Sequence, residues 1–190
     1  METKEVVIAS YKEPMDWIET IPKDWSVTVY NACETDRDFP DGLNPIKLPN
    51  MGREAGQWIH HIISRYDTLA DFTLFLQADK FHVPLAIEEI LNAKELPKRK
   101  LCYVGSAFEK HGLPARLLPC QSAFLKRLWL DEPIPEPIPF IIGAQFYATK
   151  KTIMNRPVSH YERLMRAVAD TPESPYLLEA TWGCVFKIED

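Results

Sequence analysis

Glycine is scarce in this chain, with seven residues in 190 against sixteen prolines. No glycine-rich phosphate loop is built: there is no Walker sequence, no G-x-G-x-x-G and no G-x-S-x-G. The proline excess points to irregular connections held stiff, not to flexible linkers. The four cysteines (Cys33, Cys102, Cys120, Cys184) are widely separated and form no C-x-x-C pair. That argues against a zinc ribbon or a disulfide frame and for reduced, cytosolic thiols. The histidines include no H-E-x-x-H motif. His60 and His61 are helix neighbours that face different directions, and His82, His111 and His160 stand alone. No apolar run is long enough to span a bilayer. Residues 1–5 are polar and precede only a short apolar run, so no signal peptide is expected. Positive charge is also wanting. The net charge is −5, whereas a nucleic-acid partner needs clustered Lys and Arg to neutralise phosphate. The one basic run, Lys98-Arg99-Lys100, is short and reads as a solvated edge. The expectation is a cytoplasmic protein with no transmembrane segment and no nucleic-acid partner, of unknown oligomeric state.

What is present is the pattern of an α/β fold. At 190 residues the chain is most simply one domain, long enough to bury roughly 70% of its unfolded surface. Residues 6–11 (VVIASY) and 25–31 (WSVTVYN) read as strands on either side of a short helix at 15–20, a compact unit that normally makes a parallel pair. Residues 34–49 are acidic and aperiodic, a loop. In 50–66, Ala55, Trp58, Ile59, Ile62, Ile63 and Tyr66 recur at three- and four-residue spacing and predict a helix. Gln57, His60, Ser64 and Arg65 fall mostly on its other face. Residues 72–76 (FTLFL) form a continuous apolar run, as expected for a strand covered on both sides. Helices are predicted at 84–93, 122–130 and 159–168, the last with Ser159 and Glu162 as a capping box. Strands are predicted at 101–104 and 140–149, with a bulge at Gly143. A final helix starts at Ser174-Pro175 and runs through Leu178, Trp182 and Val185. Residues 132–139 (EPIPEPIP) should be an extended, proline-rich connector.

Chemistry is expected where strands end in polar groups, because open α/β sheets bind ligands beyond the carboxyl ends of their strands. The strand at 72–76 runs into Gln77, Ala78, Asp79 and Lys80. Asp79 there suits Mg²⁺ or Mn²⁺ beside a diphosphate, since these ions take oxygen ligands and only one or two from protein; its bland alternative is the start of a turn. Arg53 and Lys80 are cations able to stabilise a leaving diphosphate. A cation in the first turn of a helix opposes the macrodipole, which favours a functional reason for Arg53 over a surface salt bridge. Glu179 shares a helical face with Tyr176 and Trp182. A carboxylate beside ring faces suits a sugar hydroxyl, although aromatic stripes on helices are usually packing.

Taken in order, these segments resemble an uncharacterised family with glycosyltransferase-like features. The resemblance rests on the 6–17 segment with Tyr11, Glu13 and Trp17, and on V-Y-N (29–31) and L-P-N-x-G-R-E (48–54). It continues through Y-D-x-L-A-D (66–71), F-L-Q-x-D (75–79), G-A-Q-F (143–146), R-P-x-x-x-Y (156–161) and L-E-x-x-W-x-x-x-F (178–186). The arrangement is also similar to small GT-A glycosyltransferases. That likeness implies a mainly parallel twisted sheet flanked by helices, a nucleotide-sugar donor and a hydroxyl acceptor such as a carbohydrate. It implies a D-x-D metal motif, where this chain carries Gln77-Ala78-Asp79, so Gln77 stands in place of the first acid. The roles it implies are Glu179 as general base, Asp79 as metal ligand, Tyr176 and Trp182 on the acceptor, and Ser10, Tyr11, Glu13, Asn31, Arg53, Gln77 and Lys80 on the donor. Two alternatives stay open: a non-catalytic carbohydrate- or nucleotide-binding module, and a metal-assisted hydrolase of a nucleotide sugar.

Overall fold

A computed structural model describes residues 2–35, 38–79, 84–96, 101–103, 113–115, 138–140, 145–179 and 181–186. Lys80, the expected helix at 122–130, residues 132–137 of the connector and Gly143 lie outside the described residues. In chain order the elements are β1 (Lys4–Ser10), a 3₁₀ turn (Asp16–Thr20), β2 (Ser26–Asn31), β3 (Ile46–Lys47), α1 (Arg53–Arg65) and β4 (Phe72–Gln77). There follow α2 (Pro84–Leu91), β5 (Leu101–Tyr103), β6 (Leu113–Ala115), β7 (Ile138–Phe140) and β8 (Phe146–Thr149). Four helices close the described chain: α3 (Lys150–Ile153), α4 (Val158–Ala169), α5 (Ser174–Glu179) and α6 (Trp182–Val185).

Six strands form one sheet in the order β3-β2-β1-β4-β8-β5. The first four are mutually parallel, as the alternation of apolar runs and crossovers predicts. The sheet as a whole is mixed, because β8 runs antiparallel to both β4 and β5. The expected single strand at 140–149 is in fact two. Ile138–Phe140 pairs with β6 in a separate two-stranded sheet, and only Phe146–Thr149 joins the main one.

Both faces of the sheet are covered, which is why β1 and β4 read as unbroken apolar runs. Val7, Ala9, Tyr30, Phe75 and Phe146 belong to one core with Trp58, Ile59 and Ile62 of α1, Leu164 of α4 and Leu178 of α5. Val6, Ile8, Val29, Leu74 and Leu76 pack on the other side with Met15, Trp25 and with Ile87 and Leu91 of α2. Each such large apolar side chain contributes roughly 1.5–3 kcal/mol when fully buried. Trp58 is the hub of the first core. Its ring lies edge-on to Phe146 at 5.5 Å and to Phe75 at 6.1 Å.

α1 is buried more widely than its apolar stripe suggests. Gln57 (4% exposed) and His61 (0%) are inside as well, because α4 and α5 flank the helix in addition to the sheet beneath it. Its start is cramped. Gly52 sits at φ 70 and Gly56 passes Met51 so closely that a Cβ there would fall 1.8 Å from the Met51 carbonyl oxygen.

Two helix starts differ from the sequence pattern. α4 begins after Pro157, without a side-chain cap, and Ser159 and Glu162 are exposed; the capping box does not form, because the N-cap is Pro157 and Ser159 already lies inside the first turn. The single last helix is broken into α5 and α6. Thr181 Oγ1 donates to the Leu177 carbonyl at 2.8 Å across the break, so the turn ends on a side chain instead of continuing the ladder.

A polar chain runs beneath α1. Tyr30 Oη and His61 Nδ1 are 3.1 Å apart, His61 Nε2 lies 3.5 Å from Glu5 Oε2, and Thr28 Oγ1 donates to Glu5 Oε1 at 2.6 Å. Burial alone would raise the Glu5 carboxyl, but the contacts of His61 and Thr28 and the Arg65 charge outweigh it and hold the group below its ordinary 4.5. A lowered carboxyl favours the folded state above its unfolded value, and that contribution is lost as pH falls through the folded value. Glu5→Gln should therefore reduce stability near neutrality and flatten the acid side of the stability curve below about pH 4.5, measured as urea midpoints against pH. An unchanged acid limb would refute the assignment.

Candidate functional site

The strand order places a topological switch point between β1 and β4. The chain runs outward from β1 to β2 and β3, then returns through α1 to β4 on the other side of β1. At such a point the loops leaving two neighbouring strands diverge and open a crevice at the carboxyl edge of the sheet. Here that edge carries Ser10 ending β1, Asn31 ending β2, Lys47 ending β3 and Gln77 ending β4, with Ser10 in register with Asn31 and Ala9 with Gln77. Asp79 lies two residues beyond, half-buried. The expected row of Ser10, Asn31 and Asp79 along one edge is thus present.

The divergent loops are pinned. Ala78 N–H donates to the Ala9 carbonyl at 2.9 Å, and the Trp17 indole N–H donates to the Ala78 carbonyl at 2.8 Å. Glu13 Oε2 accepts from the backbone N–H groups of Tyr11 (2.8 Å) and Lys12 (3.0 Å). Asn31 Oδ1 accepts from Cys33 N–H at 2.9 Å. Lys47 Nζ donates to the Cys33 carbonyl. Glu13 and Asn31 therefore shape the loops after β1 and β2 through these oxygens.

α1 delivers its N-terminus to this crevice. Ser10 N–H donates to Gln57 Oε1 at 3.3 Å, which ties the helix to the end of β1. Arg53 occupies left-handed backbone space at φ 52. That is uncommon for a residue with a Cβ and costs of order 1–3 kcal/mol, a cost concentrated in proteins at functional sites. Its side chain reaches across to α5, where Nη1 donates to Tyr176 Oη at 3.3 Å and the guanidinium stands 5.8 Å from the ring centroid. Arg53 Nε is also 3.7 Å from Glu54 Oε2. Tyr176 is 64% exposed, so this clasp lies at the surface.

Behind it stands Glu54, whose side chain is only 15% exposed. Burial pushes its carboxyl above the ordinary 4.5. Its own backbone N–H and Arg53 pull it down, Glu179 pushes it up, and a hydrogen bond to the Gln77 side chain pulls it down; burial prevails. Gln77 is held in turn, its backbone N–H donating to Gln145 Oε1 at 3.2 Å, with Gln145 5% exposed. β4, β8, α1 and α5 thus bring Gln77, Gln145, Glu54, Arg53, Tyr176 and Glu179 together.

Trp182 is not among them. It is 1% exposed, stacked on Phe186 at 5.6 Å and packed on Phe146 at 4.9 Å. The break between α5 and α6 turns it away from the face of Tyr176 and Glu179, so it is core and not an acceptor contact. Glu54, Gln57 and Gln145 were not expected as site residues. Glu54 and Gln145 lie inside the L-P-N-x-G-R-E and G-A-Q-F segments, which was the only signal available for them.

Among the described residues no three His, Cys, Asp or Glu side chains gather into a metal-holding group. A divalent ion at Asp79 would depend on ligand phosphates and water for most of its coordination, as Mg²⁺ commonly does.

Fold and edge together define an α/β protein with a mixed sheet flanked by helices and polar groups gathered at one carboxyl edge. The chain belongs to the family described as "Protein of unknown function (DUF3431)", whose model matches residues 6–100, half of its length. The match takes in all of β1 but its first two residues, β2 to β4 and α1, and so every strand end of the switch point. No curated protein and no solved structure matches the chain. Among the described residues no helix is long and apolar enough to cross a membrane.

Proposed function

We propose that this chain is a GT-A-like glycosyltransferase that moves a sugar from a nucleotide-diphosphate donor to an acceptor hydroxyl. What supports the reading is the switch point at the carboxyl edge of the sheet, where β1 ends in Ser10 and β4 in Gln77, two residues before Asp79, and where Arg53 of α1 meets Tyr176 of α5 while Glu54 of α1 meets Gln77. The nucleotide lies over the carboxyl ends of β1 and β2, where the loops held by Glu13 and Asn31 present Tyr11 and the backbone. The diphosphate lies toward Asp79, with Arg53 and Lys80 as cations. Tyr176 offers an exposed ring to the acceptor sugar, and Glu179 takes its proton. The free thiols of Cys33 and Cys184 suit the reducing cytoplasm.

A thermal-shift screen of nucleotide sugars, with and without Mn²⁺, tests the donor. A ligand that binds only the native state at 100 times its Kd stabilises by about 2.7 kcal/mol. Product formation with sugar acceptors then separates transfer from mere binding or hydrolysis. No shift with any nucleotide sugar would end this reading.

Asp79 has its own test. Mg²⁺ or Mn²⁺ would take it as a protein ligand and supply charge against the diphosphate. Asp79→Asn should weaken Mn²⁺-dependent donor binding and leave the melting temperature nearly unchanged. Equal donor affinity of the parent protein in chelator and in Mn²⁺ would remove the metal role and leave the diphosphate to Arg53 and Lys80.

A further inference from the structure

We propose that Gln145 is a specificity residue, whose side-chain N–H groups donate to a hydroxyl of the sugar that is transferred. The inference rests on the glycosyl-transfer reading and adds to it a residue with no role so far. Gln145 stands directly before β8, in the G-A-Q-F segment, and is 5% exposed. β8 runs antiparallel to β4, with Phe146 in register with Phe75. The chain therefore enters β8 at the carboxyl end of β4. There Gln145 Oε1 accepts from Gln77 N–H at 3.2 Å. A backbone N–H only donates, so this bond fixes which end of the amide is oxygen. Both heavy atoms of the amide hang on one planar carbon, so Nε2 also stays beside the end of β4.

Gln57 caps the end of β1 in the same way. Its Oε1 accepts from Ser10 N–H at 3.3 Å, and its Nε2 lies 3.5 Å from the Arg53 carbonyl oxygen. Both ends of that amide are used within the protein. Gln145 differs. Among the described residues, nothing accepts from its Nε2. Nor is that atom one of the fully enclosed polar atoms that lack a partner, a set that includes Trp58 Nε1 and Thr73 Oγ1. It is thus unpartnered yet reachable, the condition a ligand's hydrogen-bond donor has to meet.

A neutral amide N–H suits an uncharged oxygen. The charged oxygens of the diphosphate fall to Arg53 and Lys80, because hydrogen bonds between ions are the stronger kind. The sugar is the uncharged part of the donor joined directly to that diphosphate, and Asp79 lies only two residues beyond Gln77. A few polar groups placed in this way fix the orientation of a ligand and select it. A site built to hydrogen-bond a hydroxyl strongly rejects the analogue that lacks it.

A purely structural role competes, in which Gln145 only caps the last N–H of β4. Two measurements separate the roles. The first uses NMR of the parent protein, with the side-chain N–H resonances of Gln145 assigned by their proximity to Gln77 N–H. UDP- and GDP-hexoses are added, and UDP and GDP alone serve as the sugarless arms. The Gln145 resonances should shift with a nucleotide hexose and stay in place with the diphosphate alone. The second uses Gln145→Met, which keeps the length of the side chain and removes the amide. Its affinity for the nucleotide hexose should fall about tenfold, the upper end for one uncharged hydrogen bond, while its affinity for the diphosphate holds. Resonances that ignore the sugar, or an equal loss of both ligands in Gln145→Met, overturn the assignment and leave the donor reading standing. If no nucleotide hexose binds the parent protein, the glycosyl-transfer reading falls and this assignment falls with it.

Discussion

Glu179→Gln is expected to lower glycosyl transfer by about 10²–10⁴-fold, the usual worth of a positioned general base. Donor affinity should hardly change, because the proposed donor site lies toward Asp79 and the strand ends. The melting temperature should hardly change either. Glu179 is half-buried at the last position of α5, and glutamine keeps its length and its hydrogen-bonding oxygen. Removing one of two neighbouring carboxylates should, if anything, relieve the repulsion that Glu54 experiences from it. The competing role is structural, with Glu179 holding α5 against α1. A buried polar group that loses its partner costs about 1–3 kcal/mol. A variant that melts distinctly earlier yet keeps full activity per folded molecule would remove the base assignment.

Trp182→Ala is expected to have the largest effect on stability, a loss of about 3–5 kcal/mol. The ring is 1% exposed and touches Trp58, Phe146 and Phe186 at centroid distances of 6.1, 4.9 and 5.6 Å. Its removal leaves a void among side chains that are anchored on the sheet and on α1, so the cavity collapses poorly. For a chain of this size each kcal/mol shifts the melting temperature by about 2–4 °C. Trp182→Phe keeps much of the volume and should cost far less. An acceptor-binding tryptophan behaves oppositely: the alanine variant folds normally and loses only acceptor affinity. A normal melting temperature with a raised acceptor KM would return Trp182 to the site.

The sheet was legible in the sequence because its cause is local. β1, β2 and β4 are apolar runs with polar ends, and α1 shows its three- and four-residue spacing directly. The strand-end groups Ser10, Asn31 and Asp79 follow from those runs once the strands are parallel. Gln57 misled, since burial by flanking helices leaves no periodic trace in the helix being covered. Residues 140–149 misled as well, because a continuous β-rich stretch does not state that its halves pair with different strands.

Sequence alone determined the α/β class, the parallel pairing of β1 and β2 and the polar ends of the apolar strands; it read 34–49 as loop, whereas Ile46–Lys47 pairs with β2 as β3. Tertiary structure decided which side chains meet there. Glu54 reaches Gln77 because of a glycine-bounded turn against Met51 and Val168. Gln145 reaches Gln77 because β8 runs antiparallel and starts at the carboxyl edge of β4. Trp182 leaves Glu179 because Thr181 breaks the last helix. Each depends on contacts between residues far apart in the chain, or on a break that only packing selects, and no local spacing encodes them.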